Sequence, residues 1–534
     1  MIVILAAALR QGMLAIGLVV ALAALAPFQA LAADLASARA MAGLDTHSLL
    51  QRLYGDGQPR RLWNDDQARQ ALSALRAAPT HGLDPDDYDI AGLETRFGDQ
   101  HGAGADGFDR ALSTAMLAFL THLRYGRTQP DIALPPQEPG PLPFDPADYL
   151  RAALQQQQPL ELAIDAAAPP IPLYRRVQAS LQQYRDLAAA APAWRAPAQL
   201  RPGAELRLGK AAPGLRLVRQ RLILLGDLEP QASVADPDQY SPQLARAIRA
   251  FQSRHGLAET GKPGPQTLAA LAVPLSHRVR QLELTLERLR WIPPLRPGRV
   301  IVVNVAAYRL WAFDTTADSS AEPLEMRVIV GNAARTPTPL FIGQMRYLEF
   351  NPYWNVPRSI ALGEIVPRLA RNSGYLKQQR MELVSPDGKV QRMPAHAALA
   401  ELRAGTVRVR QTPGAHNVLG AVKFAMPNPM NIYLHSTSAK ELFGKARRDL
   451  SHGCIRVERP EALAAFVLAD QPQWQGPAIA AAMAPGPVRT VRLSESIPVV
   501  LFYATAATDR QGRTLFAEDI YQRDNKLMRA MRAN

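Results

Sequence analysis

The chain has 534 residues, 47% of them hydrophobic, and it should hold several domains because one hydrophobic core rarely exceeds about 250–300 residues. Lys and Arg number 61 against 47 Asp and Glu, a formal charge of +14 that suits an anionic partner or reflects a soluble basic surface. Nucleic acid is disfavoured, since the sequence has no long Lys/Arg run and no interleaving of basic with aromatic residues.

The N-terminus has the features of a secretory signal peptide. Residues 12–26 are an uncharged apolar run, Arg10 precedes them, and residues 30–32 fit the small-x-small pattern of a cleavage site. We predict a signal peptide over residues 1–32 and a mature chain that begins near Ala33. An uncleaved anchor is the alternative, because one arginine makes a weak n-region. Either way, we expect the rest of the chain to be soluble and outside the cytoplasm.

Helical patterns dominate residues 34–205, which we predict to form a helical scaffold domain with Pro-rich linkers. Within residues 108–127, apolar side chains recur at helical spacing, at positions 112, 116, 119, 120 and 123. The segments "TQPDIALPPQEPGPLPFDP" and "APAWRAPAQLRPG" are rich in proline and read as connectors.

Residues 213–273 are predicted to form a compact three-helix unit, in which Ser241 is an N-cap and Pro242 occupies the first helical position. The segments "LRLVRQRLILLGDL", "AIRAFQSRHGL" and "GPQTLAAL" resemble a small peptidoglycan-binding domain. This resemblance implies binding to peptidoglycan. However, "TGKPG" replaces the usual Asp-Gly and apolar residue of that family, so a helical spacer that has lost binding is the alternative.

From residue 299 the pattern changes to alternating strands separated by turns. We predict a mostly β catalytic domain over residues 299–505 and a C-terminal tail over residues 506–534. Residues 361–410 have helical character and read as an insertion, which makes them a candidate lid. The predicted fold class is multidomain α+β, in which a helical scaffold domain and a small three-helix domain precede a mostly β domain with a helical lid insertion.

Cys454, in "DLSHGCIRVERP", is the only cysteine of the chain. Exported chains usually pair their cysteines in disulfides, so a single thiol indicates a chemical role, with a small buried hydrophobe as the alternative. A nucleophilic thiol needs a base and backbone donors. His452 lies two residues upstream and His435 lies 454 − 435 = 19 residues upstream, while the N–H groups of Gly453 and Cys454 are candidate oxyanion donors.

Each histidine can instead be a satisfied structural residue. Two histidines and a cysteine also make a partial zinc set. Zinc usually takes a further protein ligand at a recognisable spacing, and none is evident, so no metal site is predicted.

The stretch "HST" followed by "SHGCIRV" resembles the signature of the L,D-transpeptidase (YkuD-type) catalytic domain. The segment "GAHNVLGAVKFAMP" resembles the strand and turn that precede the site in this family. With the helical region, the peptidoglycan-binding segment, "NPYWNVPRSI" and the insertion, the chain is similar to the large Gram-negative subfamily.

The resemblance implies that Cys454 is the nucleophile and that His435 is the general base, oriented by the backbone carbonyl of Ser436. It implies that His452 and Gly453 shape the site and its oxyanion hole. No cofactor is implied.

Two further residues are implied to bind substrate. Arg456 is a candidate clamp for a carboxylate, with an internal salt bridge as the alternative. Trp354 is a candidate lining residue of the cleft, with a core position as the alternative.

The implied activity is a periplasmic one, the formation of 3–3 crosslinks between peptidoglycan tetrapeptide stems through a cysteine thioester. Hydrolysis of the same stems by an L,D-carboxypeptidase and a non-catalytic wall-binding scaffold are the alternatives. The implied partners are the donor and acceptor stems of peptidoglycan. Nucleic acid is not an expected partner, and the inner membrane is one only if the signal peptide is uncleaved. Carbapenems are the implied covalent inhibitors.

Overall fold

The computed structural model describes residues 45–55, 61–98, 105–134, 144–156, 159–191, 193–198, 200, 206–230, 236–317 and 321–533. The predicted signal peptide, and with it the choice between cleavage and anchoring, lies outside these residues. Within the described ranges, no helix is both long enough and apolar enough to cross a bilayer. The described residues up to Arg127 and those between 138 and 170 form one compact unit, and the described residues between 128 and 137 and from Ile171 onward form a second.

The first unit is helical in its described part. Its helices are α1 (Thr46–Tyr54), α2 (Asp65–Arg76), α3 (Ile90–Gly98), α4 (Ala105–Tyr125), α5 (Pro146–Gln155) and α6 (Leu160–Ala167), with 3-10 turns at Ala78–His81 and Pro85–Tyr88. Asn64 begins α2 with a capping box that pairs it with Gln67. Helix α4 buries the apolar stripe predicted from the sequence, namely Leu112, Met116, Phe119, Leu120 and Leu123.

The second unit begins with helices, which are α7 (Pro172–Ala190), α8 (Leu215–Leu224), α9 (Pro242–Arg254), α10 (Pro265–Ala272) and α11 (Leu275–Arg290). Helices α8, α9 and α10 share one apolar core, so the predicted three-helix unit is confirmed. As predicted, Ser241 caps α9: its hydroxyl accepts a hydrogen bond from the Leu244 N–H at 3.1 Å, and Pro242 opens the helix.

Helix α11 is buried although it is rich in charge. Glu287 and Arg290 are both fully buried and form an ion pair at 3.1 Å. Thr128 donates two hydrogen bonds of 2.9 Å to Glu287, from its N–H and its hydroxyl, and Arg290 donates one of 2.9 Å to the Tyr174 hydroxyl. These partners stabilise the buried charges, which would otherwise be costly.

The strands follow in the second unit. They are β1 (Arg299–Asn304), β2 (Arg309–Asp314), β3 (Leu324–Gly331), β4 (Phe341–Phe350), β5 (Trp354–Asn355), β6 (Met381–Val384), β7 (Val390–Gln391), β8 (Arg408–Gln411), β9 (Val422–Ala425), β10 (Leu434–His435), β11 (Asp449–Ser451), β12 (Ile455–Val457), β13 (Arg489–Phe502), β14 (Ala506–Thr508) and β15 (Thr514–Phe516). The accompanying helices are α12 (Arg358–Ile360), a π-helical turn (Ala361–Ile365), α13 (Val366–Arg371), α14 (Tyr375–Gln378), α15 (Ala395–Ala404), a 3-10 turn (Lys440–Gly444), α16 (Pro460–Val467), α17 (Gly476–Met483) and α18 (Arg523–Ala533).

The main sheet closes on itself. Its strand order is β11-β3-β12-β10-β9-β4-β13-β1-β2, and β2 also pairs with β3, so that eight strands form a ring with β11 added outside it. The pairs β1–β13, β10–β12 and β11–β3 are parallel, and the others are antiparallel. The ring places β10 and β12 side by side, and these two strands carry the segments singled out in the sequence.

The insertion between β4 and β9 combines helices with a second small sheet. Its strands are ordered β5-β8-β6-β7, and its helices share a separate apolar core with them. The sequence indicated helical character for residues 361–410, and the hairpin β6–β7 was missed. Strands of four and two residues are too short for an alternating pattern to stand out.

The predicted tail has a defined structure. Strands β14 and β15 form a hairpin whose Phe516 stacks on His255 of the three-helix unit, with ring centroids 5.6 Å apart. The Arg278 guanidinium lies 4.4 Å from the centre of the Phe516 ring, and Arg254 donates a hydrogen bond of 3.2 Å to the Thr514 carbonyl. The hairpin therefore joins the helices to the barrel within the second unit.

Candidate active site

The register of two parallel strands brings the predicted site residues together. His435 on β10 is paired with Arg456 on β12, and directly paired residues share one face of a sheet. Tyr433 lies two residues before His435, and Cys454 lies two residues before Arg456. Because side chains alternate along extended backbone, all four project from the same face of these central strands.

The backbone before the thiol is held tightly. Gly453 has φ of +115°, a conformation that favours glycine. Its N–H donates a hydrogen bond of 3.1 Å to the Ser451 hydroxyl oxygen, and that hydroxyl donates one of 2.6 Å to the Cys454 carbonyl. The Thr338 hydroxyl donates one of 2.8 Å to the Gly453 carbonyl. These bonds fix the position of the Cys454 side chain.

This geometry differs from the oxyanion hole expected from the sequence. The Gly453 N–H is already engaged by the Ser451 hydroxyl, so it does not face an incoming carbonyl. Among the residues that the structure describes, no backbone partner is found for the Cys454 N–H. The Cys454 amide is therefore the candidate oxyanion donor, and Gly453 contributes its backbone conformation.

His435 is buried, and its ring is oriented by its own chain. Its Nδ1 lies 2.6 Å from the Ser436 carbonyl oxygen. A carbonyl can only accept, so Nδ1 carries the proton and Nε2 has the free lone pair. Burial, together with the positive charge of Arg456, lowers the pKa of His435 to about 3. The ring is thus a neutral proton acceptor at physiological pH.

Ser436 acts through its backbone, since its hydroxyl has a different partner. That hydroxyl donates a hydrogen bond of 3.1 Å to the Leu419 carbonyl. Gly420 has φ of +64°, and a Cβ at this position would lie 2.0 Å from the Ser436 hydroxyl oxygen. Glycine is therefore required at position 420 for the close approach that holds the His435 strand.

The Cys454 thiol is half-buried and lies among hydrogen-bonding groups. Its Sγ lies 3.6 Å from the Asn431 carbonyl oxygen, and it is hydrogen-bonded to the Tyr433 hydroxyl. Burial raises the pKa of the thiol, while the hydrogen bonds from Tyr433 and the charges of Lys423 and Arg456 oppose that rise. In the resting site both the thiol and the imidazole are therefore neutral.

Tyr433 was not predicted from the sequence, and it connects Trp354 to the thiol. The Trp354 indole N–H is hydrogen-bonded to the Tyr433 hydroxyl, which in turn contacts Cys454. Trp354 also packs against the apolar core of the insertion, as in the core alternative, and its role in lining a cleft stays a prediction. The sequence did contain a signal for this role: Tyr433 lies two residues before His435, so the two side chains should lie on the same face of the strand.

Arg456 lies beside the thiol, and none of the described residues is an acidic partner for it. Its Nε is buried and has no hydrogen-bond acceptor among the described residues, and its pKa is lowered by burial and raised by Cys454. An internal salt bridge, the alternative interpretation from the sequence, is not found in this part of the chain. The guanidinium is thus available to an anionic ligand.

His452 faces the insertion. It is exposed, and its Nε2 lies 2.5 Å from Glu364 Oε1, on the π-helical turn. Glu364 also pairs with Arg368 at 3.2 Å. His452 thus links the loop of Cys454 to the insertion.

The described residues contain no group of three or more His, Cys, Asp and Glu side chains arranged to hold a metal ion. The chemistry that this site offers consists of a thiol, a neutral imidazole, a phenol and an unpaired guanidinium.

Family models match three segments of the chain. The model described as "L,D-transpeptidase catalytic domain" (YkuD) matches residues 298–489, that described as "Scaffold domain" matches residues 48–181, and that described as "Putative peptidoglycan binding domain" matches residues 212–271. The named segments agree with the order of helical and β-rich regions in the structure.

A curated protein of Haemophilus influenzae (strain ATCC 51907 / DSM 11121 / KW20 / Rd), named "Putative L,D-transpeptidase", is 30% identical over 253 residues, which are 47% of this chain and 50% of that protein. The chain thus spans about half the length of this curated relative. A solved L,D-transpeptidase from Stackebrandtia nassauensis is 14% identical, covers 57% of this chain and 98% of its own, and has a TM-score of 0.25. A solved L,D-transpeptidase from Xylanimonas cellulosilytica DSM 15894 (residues 123–326) is 16% identical. The match covers 58% of this chain and 100% of that chain, with a TM-score of 0.17. TM-scores of this size do not establish a shared fold.

Proposed function

We propose that the chain, which matches the models of a YkuD L,D-transpeptidase catalytic domain and of a peptidoglycan-binding domain, forms 3–3 crosslinks between peptidoglycan stem peptides through a thioester on Cys454. One observation carries the proposal. The β10–β12 pairing sets Cys454 on the same face as His435, whose Nδ1 is bonded to the Ser436 carbonyl, so that Nε2 is free to accept a proton.

The first half-reaction forms the acyl-enzyme. His435 Nε2 takes the thiol proton as Sγ attacks the carbonyl carbon of the third residue of a tetrapeptide stem. The Cys454 N–H stabilises the oxyanion. The C–N bond to D-Ala then breaks, the His435 imidazolium returns the proton to the leaving amine, and a thioester remains.

The second half-reaction consumes the thioester. The side-chain amine of a diaminopimelate in a second stem attacks the thioester carbonyl and loses a proton to His435. The C–S bond breaks, the new amide joins the two stems, and the sulfur recovers the proton. Water in place of the amine gives a free tripeptide, the product of the carboxypeptidase alternative.

The assay for this proposal uses the wild-type chain and purified disaccharide-tetrapeptides. Mass spectrometry should detect 3–3 crosslinked dimers with loss of one D-Ala per crosslink, and a carbapenem should form a covalent adduct at Cys454. Tripeptide monomers without dimers would favour the carboxypeptidase. If neither dimers nor tripeptides form and no carbapenem adduct appears, the non-catalytic wall-binding scaffold is the remaining alternative.

The unpaired Arg456 is proposed to bind a stem carboxylate. Replacing it with methionine (Arg456→Met) should raise KM for the tetrapeptide donor about 10- to 100-fold with a smaller effect on kcat, because a charge-assisted hydrogen bond is lost. Arg456→Lys keeps the charge but not the planar fork, so its KM should lie between the two. Steady-state kinetics measure both. Equal KM in the wild type and Arg456→Met would contradict the role.

The insertion is proposed to shield the thioester from water, and the His452–Glu364 contact ties it to the loop of Cys454. Glu364→Gln weakens this contact. We therefore expect the ratio of tripeptide to crosslinked dimer to rise by about two- to fivefold, since a contact this exposed stabilises the closed arrangement only modestly. The control is Glu401→Gln, another acid of the insertion. An unchanged product ratio in Glu364→Gln would remove this role.

The remaining proposals follow from the substrate. Peptidoglycan lies outside the cytoplasm, so we propose a periplasmic location, reached with the predicted signal peptide. Residues 213–273 are proposed to hold the chain on the polymer. The positive net charge of the chain suits stems that carry free carboxylates.

A further inference from the structure

A row of ionisable side chains crosses four neighbouring strands at the site. Glu349 on β4 is paired with Lys423 on β9, Lys423 with His435 on β10, and His435 with Arg456 on β12. Residues in direct register share one face of a sheet. Lys423 and Glu349 therefore lie on the face that also carries Cys454, although the proposed reaction has not used them.

Lys423 and Glu349 form a close and poorly solvated ion pair. The Lys423 Nζ lies 2.6 Å from Glu349 Oε2, and their side chains are only 20% and 24% exposed. The same Nζ lies 5.1 Å from the centre of the Tyr433 ring, whose hydroxyl is bonded to the thiol. With so little solvent around it, the pair acts on its neighbours more strongly than a surface pair does.

Only one of the two cations beside the thiol is neutralised. Arg456 has no acidic partner among the residues that the structure describes, whereas Lys423 has Glu349. The charges of both cations lower the pKa of Cys454, and both also lower the pKa of His435. A stronger positive charge would thus favour the thiolate and at the same time weaken the base. The charged and titratable groups around Cys454 are Tyr433, His435, Lys423, Glu349 and Arg456, with the His452–Glu364 pair on the adjoining loop and insertion.

We propose that Lys423 and Glu349 are positioning residues for the Cys454 site. Glu349 fixes the Lys423 ammonium over Tyr433, where its charge stabilises the thiolate that forms during attack. Glu349 also offsets part of that charge, so that His435 remains basic enough to take the proton. The inference rests on the proposed function, since it assumes that Cys454 reacts as a thiolate.

The test is the pH dependence of Cys454 alkylation by iodoacetamide, followed by intact-protein mass from about pH 6 to about pH 11. Cys454 is the only thiol, so the first and fastest adduct reports on this site, and peptide mapping separates it from slower alkylation of amines at high pH. His435, whose pKa is about 3, does not titrate in this window. The midpoint of the profile therefore has no contribution from His435.

The two halves of the pair should shift the profile in opposite directions. Lys423→Met should move the midpoint to higher pH and slow alkylation near pH 8 by about three- to tenfold, because a stabilising charge is lost. Glu349→Gln should move it to lower pH and speed alkylation by about two- to threefold, because the Lys423 charge is no longer offset. Lys423→Arg, which keeps the charge, should stay near the wild type, as should Glu325→Gln in the exposed Arg309–Glu325 pair.

Opposite shifts support the inference, and shifts of the same sign or no shift would overturn it. If Lys423→Met does not fold, Glu349→Gln alone decides, since glutamine has nearly the size of glutamate and so leaves the burial of the thiol, which raises its pKa, unchanged. A separate crosslinking assay on the wild type keeps the two proposals apart. Normal crosslinking with unshifted profiles rejects only the positioning role, and opposite shifts without any crosslinking reject only the transpeptidase function.

Discussion

Cys454→Ala should abolish the formation of 3–3 crosslinked dimers, with a loss of at least about 10³-fold in kcat/KM. The effect should be this large because the thioester cannot form without the sulfur and no second cysteine can replace it. Carbapenem labelling should disappear in the same variant. Dimer formation followed by liquid chromatography and mass spectrometry measures the loss.

Two controls should show that the loss of activity comes from the missing thiol and not from unfolding. Alanine is close in size to cysteine, so the thermal midpoint should stay near that of the wild type. Cys454→Ser keeps a hydroxyl in the same place, but its high pKa makes it a poor nucleophile, and it should be nearly as inactive as the alanine variant. Crosslinking by Cys454→Ala at a rate near that of the wild type would sink the covalent mechanism.

His435→Ala should lower kcat/KM by about 10²- to 10⁴-fold at neutral pH, because Nε2 no longer takes the thiol proton. The His435→Gln variant can keep a donor toward the Ser436 carbonyl but has no base, so it should be similarly slow. His47→Ala, at an exposed position of α1, is the matched control and should have normal activity.

The wild type and the His435→Ala variant should also differ in how their rates depend on pH. The pKa of His435 is lowered to about 3 and that of Cys454 is raised, so neither group titrates between about pH 5 and pH 8. The wild-type rate should be flat across this range. In His435→Ala, the remaining rate should rise with pH, because only the thiolate fraction reacts. A wild-type rate that falls steeply below pH 7 would contradict the low pKa of His435.

Local sequence was sufficient to predict most regular elements and to single out Cys454 and His435 as the proposed catalytic pair. The Ser241 cap, the stripe on α4 and the alternating strands depend on near neighbours in the chain, and the structure contains them. The bond between His435 and the Ser436 carbonyl joins adjacent residues, so the family motif could imply it.

Contacts between distant segments could not be predicted in this way. The Lys423–Glu349 pair depends on the register of β4 with β9, and the His452–Glu364 contact joins residues 88 positions apart. Helix α11 shows the same limit, since "LSHRVRQLELTLERLR" does not by itself indicate that Thr128 and Tyr174 contact its buried charges. A periodic pattern indicates which residues share a face of a helix or strand, but it does not indicate which distant residues contact that face.

The contacts of the hairpin β14–β15 also limit where a truncated fragment of the protein can begin. A fragment that begins at residue 298 would contain the whole barrel, but it would leave Phe516 without His255 and Arg278, and the Thr514 carbonyl without Arg254. The exposed ring and the lost partners favour aggregation over a clean monomer. Truncation for crystallisation or inhibitor screening is therefore better placed so that Thr128, which donates two hydrogen bonds to the buried Glu287, stays in one polypeptide with the three-helix unit and the barrel.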